Sequence, residues 1–127
     1  MSIVGGSNWI AGGTITKYRL LMLDSSNPEA ELIHTSADTD VPKAVSTNAA
    51  TATNPSALEY EILTPGMMFT VTASGAITAG AKVAPDSSGR VKAAATGDYY
   101  FAEALEAASN DGDNIVCVVS LCGHLLA

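Results

Sequence analysis

MMFTVTASGAITAGAKVAPDSSGRVKAAATGDYYFAEALEAASNDGDNIVCVVSLC, residues 67–122, reads as a succession of short strands. In its first seven residues Met67, Phe69, Val71 and Ala73 share one parity, while Thr70 and Thr72 take the other. Alternation of period two marks a strand with one face buried. Gly75, Gly80, Gly89, Gly97 and Gly112 fall between or at the ends of the apolar runs, where a turn needs positive φ or an unhindered backbone. The segment 81–93 predicts a hairpin. It sets Ala81, Val83, Val91 and Ala93 on one face and Lys82, Arg90 and Lys92 on the other. YYFAEALEAA, residues 99–108, has the composition of a helix, yet it lies between the turn signals Gly97-Asp98 and Asp111-Gly112 and predicts a strand. Ile115–Leu121 is apolar on both parities and predicts a central strand covered on both faces.

Upstream, ALEYEIL (57–63) predicts a strand with Leu58, Tyr60 and Ile62 inward and Glu59 and Glu61 on a solvated face. Pro65-Gly66 suits the centre of a type II turn, which would join this strand to 67–73 as a hairpin. KYRLLMLD (17–24) reads as a strand covered on both sides, followed by the turn SSNPE and the short strand AELIH. Residues 35–57, rich in Thr, Ala, Ser and Asn, predict a long loop with one brief strand around Ala44–Ser46, either a contact surface or simply mobile. Residues 1–16, MSIVGGSNWIAGGTIT, carry two Gly-Gly pairs around the only tryptophan and predict a flexible arm. Trp9 either anchors this arm on a neighbouring surface or folds back on its own domain. The expected organisation is an arm, 1–16, and a β-rich domain, 17–127, containing the loop 35–57. The fold class is mainly β, a compact single-domain β-barrel or β-sandwich.

With 127 residues and 47% hydrophobic composition the chain can bury a substantial core. Only 15% of residues are charged, against about 25% in typical domains, so much of the exterior is Ser, Thr, Asn, Gly and Ala. Thirteen acidic and six basic residues give a net charge of −7, which argues against nucleic-acid binding. No apolar run approaches the ~20 residues of a membrane span, and no basic segment precedes the first apolar residues, so synthesis in the cytoplasm is expected, and residence there unless the protein leaves as part of an assembly. Cys117 and Cys122, five apart in one strand, sit roughly 16 Å from each other at 3.3 Å per residue, too far for a disulfide. His34 and His124 have no ligand-spaced partners, and SNDGDN (109–114) lacks the regular acidic spacing of a calcium loop. The DSSG tip of the 81–93 hairpin carries no lysine for a carried cofactor. Neither an enzyme nor a cofactor nor a metal is expected, and Glu59 and Glu61 read as a solvated pair.

The block from Ile77 to Leu121 resembles the C-terminal half of the tailed-phage capsid cement, or head decoration, proteins. The matching pieces are Ala79-Gly80-Ala81-Lys82-Val83 with Asp86, then Ala104-Leu105-Glu106-Ala107-Ala108, Gly112-Asp113 and Val116–Leu121. Phe101-Ala102-Glu103 departs from the Gly-Val or Gly-Ile usual in relatives, and the N-terminal half does not align with theirs. The resemblance implies a non-enzymatic protein on the outer surface of a phage capsid, stabilising the shell by bridging capsomers. Its partners would be the major capsid protein and other copies of itself, as a homo-oligomer and often a trimer. Capsid or subunit contacts are expected at Ile3, Trp9 and Ile10 of the arm and at Lys82, Arg90 and Lys92 of the hairpin, whose cationic face otherwise reads as solvated. Two other readings stay open: a different β-rich virion subunit of the tail tube or capsid, and a small carrier or ligand-binding barrel.

Overall fold

The alternation of residues 67–73 becomes a strand whose buried residues are Phe69, Val71 and Thr72, and the remaining strands build on it. The computed structural model describes residues 9–24, 26 and 31–125, with side chains described as far as Ser120. Among these residues ten strands form two five-stranded sheets. The first sheet holds β1 (Ile10–Ala11), β2 (Leu20–Leu23), β3 (Glu31–His34), β4 (Ala44–Ser46) and β5 (Tyr60–Ile62), ordered β1-β3-β2-β4-β5. The second holds β6 (Met68–Thr72), β7 (Lys82–Pro85), β8 (Val91–Ala93), β9 (Tyr99–Ala104) and β10 (Asn114–Leu125), ordered β6-β10-β9-β7-β8. All strand pairs are antiparallel except β1 with β3. The mainly β, single-domain expectation holds.

Two apolar clusters share the interior. Phe69, Val71, Val83, Val91, Ile115 and Cys117 of the second sheet meet Leu20 and Val45 of the first. Leu21, Leu32, Ile15 and Leu58 form the other cluster behind the first sheet. Consecutive residues of a strand face opposite ways, so Leu20 and Leu21 serve different clusters. That is why KYRLLMLD reads as apolar on both parities. Each such side chain contributes roughly 1.5–3 kcal/mol by leaving water.

The DSSG tip is a joint between the sheets. The Leu20 N–H donates to the Gly89 carbonyl, Thr35 Oγ1 donates to the Asp86 carbonyl (3.1 Å), and Arg19 Nη1 donates to the Ser88 carbonyl (3.2 Å). Gly89 is buried at φ +78°, and a Cβ there would stand 3.0 Å from the Leu20 carbonyl oxygen and 3.2 Å from His34 Cβ. Only glycine meets both demands.

Five expectations change. Pro65-Gly66 does make a turn, with the Met67 N–H on the Thr64 carbonyl (3.1 Å) and Gly66 at φ 84°. The turn links two sheets rather than two strands of a hairpin. β5 pairs with β4 and β6 with β10, because β10 offers β6 a ladder of five residue pairs from Asn114↔Thr72 to Val118↔Met68. The strand expected over 57–63 is only Tyr60–Ile62, since a 3₁₀ turn at Pro55–Ala57 precedes it, and the strand expected from residue 17 starts at Leu20 because Tyr18 takes φ 62°. The strand 115–121 runs on to Leu125, with a register shift between Val119 and His124.

The fifth change concerns the arm. Residues 9–16 are packed rather than loose: Ile10–Ala11 pairs with β3, and Ile15 is buried and bridges Ala50. Apolar burial holds them, and Gly12 is small for fit, since a Cβ there would meet Ile33 Cγ2 at 2.9 Å. Residues 1–8, with Ile3, lie outside the described residues, as do most of the SSNPE turn and the side chains of Cys122 and His124.

Candidate docking surface

Where the two sheets meet on the side of β5 and β9, they leave an open groove of about 690 Å³. From the first sheet come Trp9, the loop 38–43, Ile62 and Leu63. Across it stand Pro85, the start of β9 at Tyr99–Phe101, and Val119 of β10. The loop keeps its shape because the Asp40 carboxylate accepts the N–H groups of Ser36 (2.7 Å) and Ala37 (2.9 Å). Asp38, beside it, accepts from Lys92 Nζ at 2.9 Å and so fastens this loop to β8. Val41 is 68% exposed, Tyr99 60% and Ile62 41%. Three large apolar side chains left in water around one concavity form a patch of the kind that marks an interaction site.

Trp9 stands at this groove. Its ring stacks on Tyr60 with centroids 5.9 Å apart and planes at 29°, and its backbone N–H donates to the Tyr60 hydroxyl (3.3 Å). It therefore folds back on its own domain, and Ile10 follows it, half-buried, at the start of β1.

Lys82, Arg90 and Lys92 share one face, as the hairpin register requires, but each meets acids of its own chain. Lys82 Nζ lies 2.5 Å from Glu103, its direct neighbour across β7 and β9. Arg90 reaches Asp111 (2.5 Å) and Asp86 (3.4 Å), and Lys92 reaches Asp38 (2.9 Å) and Asp98 (4.0 Å). The hydrogen bonds to Glu103 and Asp38 raise the pKa of Lys82 and of Lys92. None of the three lines the groove itself; Lys92 reaches it through Asp38, and Lys82 through Tyr100, whose ring centroid lies 5.5 Å from its Nζ.

Val41, Lys43, Ile62 and Tyr99 were missed by sequence reasoning, for want of any local signal that three distant segments converge. His34 was missed too. Its Nε2 accepts the Thr16 N–H (3.1 Å), and burial, then the charge of Arg19, lowers its pKa while Asp86 opposes. Among the described residues, no three His, Cys, Asp or Glu side chains gather as metal ligands. Burial pushes the Cys117 thiol up to about 12, which leaves it a small apolar filler rather than a nucleophile. SNDGDN is a turn closed by its own Asp113 carboxylate, which accepts from the Ser109 (2.9 Å) and Asn110 (3.0 Å) N–H groups. What the arrangement offers is adhesive surface.

No curated protein matches the chain. Among solved structures, the N base of head fiber gp8.5 in bacteriophage phi29 is similar, with a TM-score of 0.71 and 20% identity over 91% of this chain and 93% of that one. At that identity the likeness is one of fold. Residues 49–121, more than half of the chain, match the phage cement protein family. The chain therefore belongs to the phage cement protein family and is a capsid-associated structural protein of the virion.

Proposed function

We propose that this protein sits on the outer surface of the capsid and seats the groove between its two sheets on capsid protein, so that one copy holds neighbouring subunits together. The single observation that carries this is the gathering of Val41, Ile62 and Tyr99, all exposed, around one groove on a chain with few charges. Apolar contact surfaces of this kind gain by leaving water, at about 25 cal/mol per Å² before the costs of association. Modest contacts repeated over a shell become strong through multivalency. Trp9 and Ile10 extend the contact at the rim. Lys82, Arg90 and Lys92 join it only by exchanging Glu103, Asp86, Asp111 and Asp38 for a partner's acids, so their part is secondary. Copies would associate with each other through a different patch, around Met68, which is 65% exposed on the edge strand β6.

The test is co-sedimentation with shells that lack this protein. Val41→Ser combined with Tyr99→Ser, at exposed positions, leaves the domain folded by circular dichroism and lowers shell binding at least about tenfold, the weight of one or two central apolar anchors. Binding unchanged in that variant removes the groove from the interface. Antibody labelling of decorated, intact particles reports which surface the protein occupies. Light scattering on the wild type and on Met68→Asp reports self-association.

A further inference from the structure

Nearly every cation of this chain is engaged within it. Lys82, Arg90 and Lys92 are ion-paired, Lys17 Nζ lies 4.7 Å over the Tyr18 ring, and Arg19 donates to the Ser88 carbonyl. Lys43 differs: it is exposed, has no ion pair among the described residues, and lines the groove. The two carboxylates nearest to it along the chain are already committed, Asp38 to Lys92 and Asp40 to the N–H groups of Ser36 and Ala37. The groove thus offers apolar walls and, among the described residues, one cation without an ion pair, beside an Asp40 carboxylate held by backbone N–H groups, on a molecule of net charge −7. Its Ile62 belongs to β5, an edge strand open on one side to an extended partner.

We infer that the occupant of the groove is an extended segment of the capsid partner in which apolar side chains flank a single Asp or Glu, and that this carboxylate meets the Lys43 ammonium. The inference rests on the docking reading above. Apolar flanks match the walls, and one carboxylate matches the one groove cation left without an ion pair among the described residues. A lysine at that position meets like charge, and a run of acids meets the negative field of the whole protein.

The only tryptophan, Trp9, stands in the groove and serves as the reporter. Its emission is titrated in the full-length protein with acetyl-Leu-Val-Asp-Val-Leu-amide and with the same peptide carrying Lys or Asn at the centre. At low salt the Asp peptide binds about fivefold tighter than the Lys peptide, the scale of one exposed charge pair. Lys43→Glu reverses the order and Lys43→Gln abolishes it; the exposed side chain leaves both variants folded. The same order in all three proteins overturns the inference, as does silence of Trp9 toward every peptide. So does a shift of Trp9 emission with protein concentration alone, which assigns the groove to a second copy. Shell pelleting separates the two claims. Wild-type protein that fails to pellet sinks the docking reading itself. If groove variants lose shells while Lys43→Glu pellets like the wild type, only the Lys43 assignment falls.

Discussion

The two sheets of this protein are built on different terms. The second takes its strands from a continuous half of the chain, 68–125, and its twelve-residue β10 pairs on one side with β6 and on the other with β9. The first is assembled from strands of two to four residues, one of them parallel, tied by loops and single bridges. The difference is a division of labour. Long ladders around Phe69, Val71 and Ile115 make a body, and short strands leave loop and edge free to shape the groove. Because Leu20 and Val45 of the first sheet enter the cluster of the second, the two should unfold together. Truncating the body should cost most. Phe69→Ala removes a buried ring stacked on Phe101 at 6.0 Å and lowers stability by about 3–5 kcal/mol, whereas Leu58→Ala behind the first sheet costs about 2–3 kcal/mol. Urea unfolding followed by circular dichroism and by Trp9 emission measures both. Two separate transitions would break the picture of one cooperative unit.

The joint between the sheets is the next place to press. Gly89 and Gly97 both take positive φ, +78° and +94°, but only Gly89 is packed, against Leu20, Arg19 and His34. Gly97→Ala therefore carries the left-handed strain alone, about 1–2 kcal/mol. Gly89→Ala adds a contact with the Leu20 carbonyl oxygen that backbone cannot yield, for a total of about 2–4 kcal/mol. Equal losses in the two variants would show that the hairpin tip does not hold the sheets together.

What could be read from the sequence follows the same divide. The second sheet is legible because its strands alternate locally and its turns carry glycine; even 99–104, helical in composition, is a strand between its turn signals. The pairing of β6 was misread because its partner lies some forty residues on, and nothing in Pro65-Gly66 says which sheet the chain enters next. Gly12 was read as slack when it marks a close approach to Ile33, since the residue type is the same for both purposes. The common face of Lys82, Arg90 and Lys92 was visible in their parity, while the acids that neutralise them come from β9, from the loop before β4 and from the turn before β10. The groove was invisible for that reason: its walls are brought together by tertiary pairing alone.

Acid should loosen the joint in two stages. His34 accepts the Thr16 N–H, so the folded state needs the neutral imidazole. Burial first, then Arg19, holds its pKa below the ordinary 6.5, against the pull of Asp86. The unfolded chain then binds this proton more readily. The stability it contributes is full above about pH 6.5 and is lost as pH falls through the lower folded value. Partial exposure keeps the loss small, on the order of 1 kcal/mol. Asp86 follows at lower pH. Burial pushes its pKa up, but the N–H groups of Ser88 and Arg90 and the charge of Arg90 outweigh that and hold it below 3.8. Its share is present above that pH and lost below. Urea midpoints between pH 7.5 and 3 should show both stages, and His34→Gln should remove the upper one only. A profile that is flat down to pH 4.5 in the wild type would detach His34 from the joint.

The smallest effect should fall on Lys92. Its ion pair with Asp38 ties a strand of the second sheet to the groove loop of the first, yet both side chains are more than a third exposed, at 37% and 39%. Such a pair is worth about 0.2–1 kcal/mol in water, and salt screens it further. Lys92→Ala should therefore move the urea midpoint by no more than that, and not at all in 0.5 M salt, on the scale of about a 4–5 Å Debye length. The loop responds differently, because this ammonium is the tie that reaches it from the other sheet. Amide exchange in 36–43 should quicken in the variant while β6 and β10 exchange as before, since local opening needs only the local contacts to fail. Equal acceleration in both regions would mean that the groove loop and the body are one unit, and that the shape of the docking surface cannot be altered without unfolding the protein that carries it.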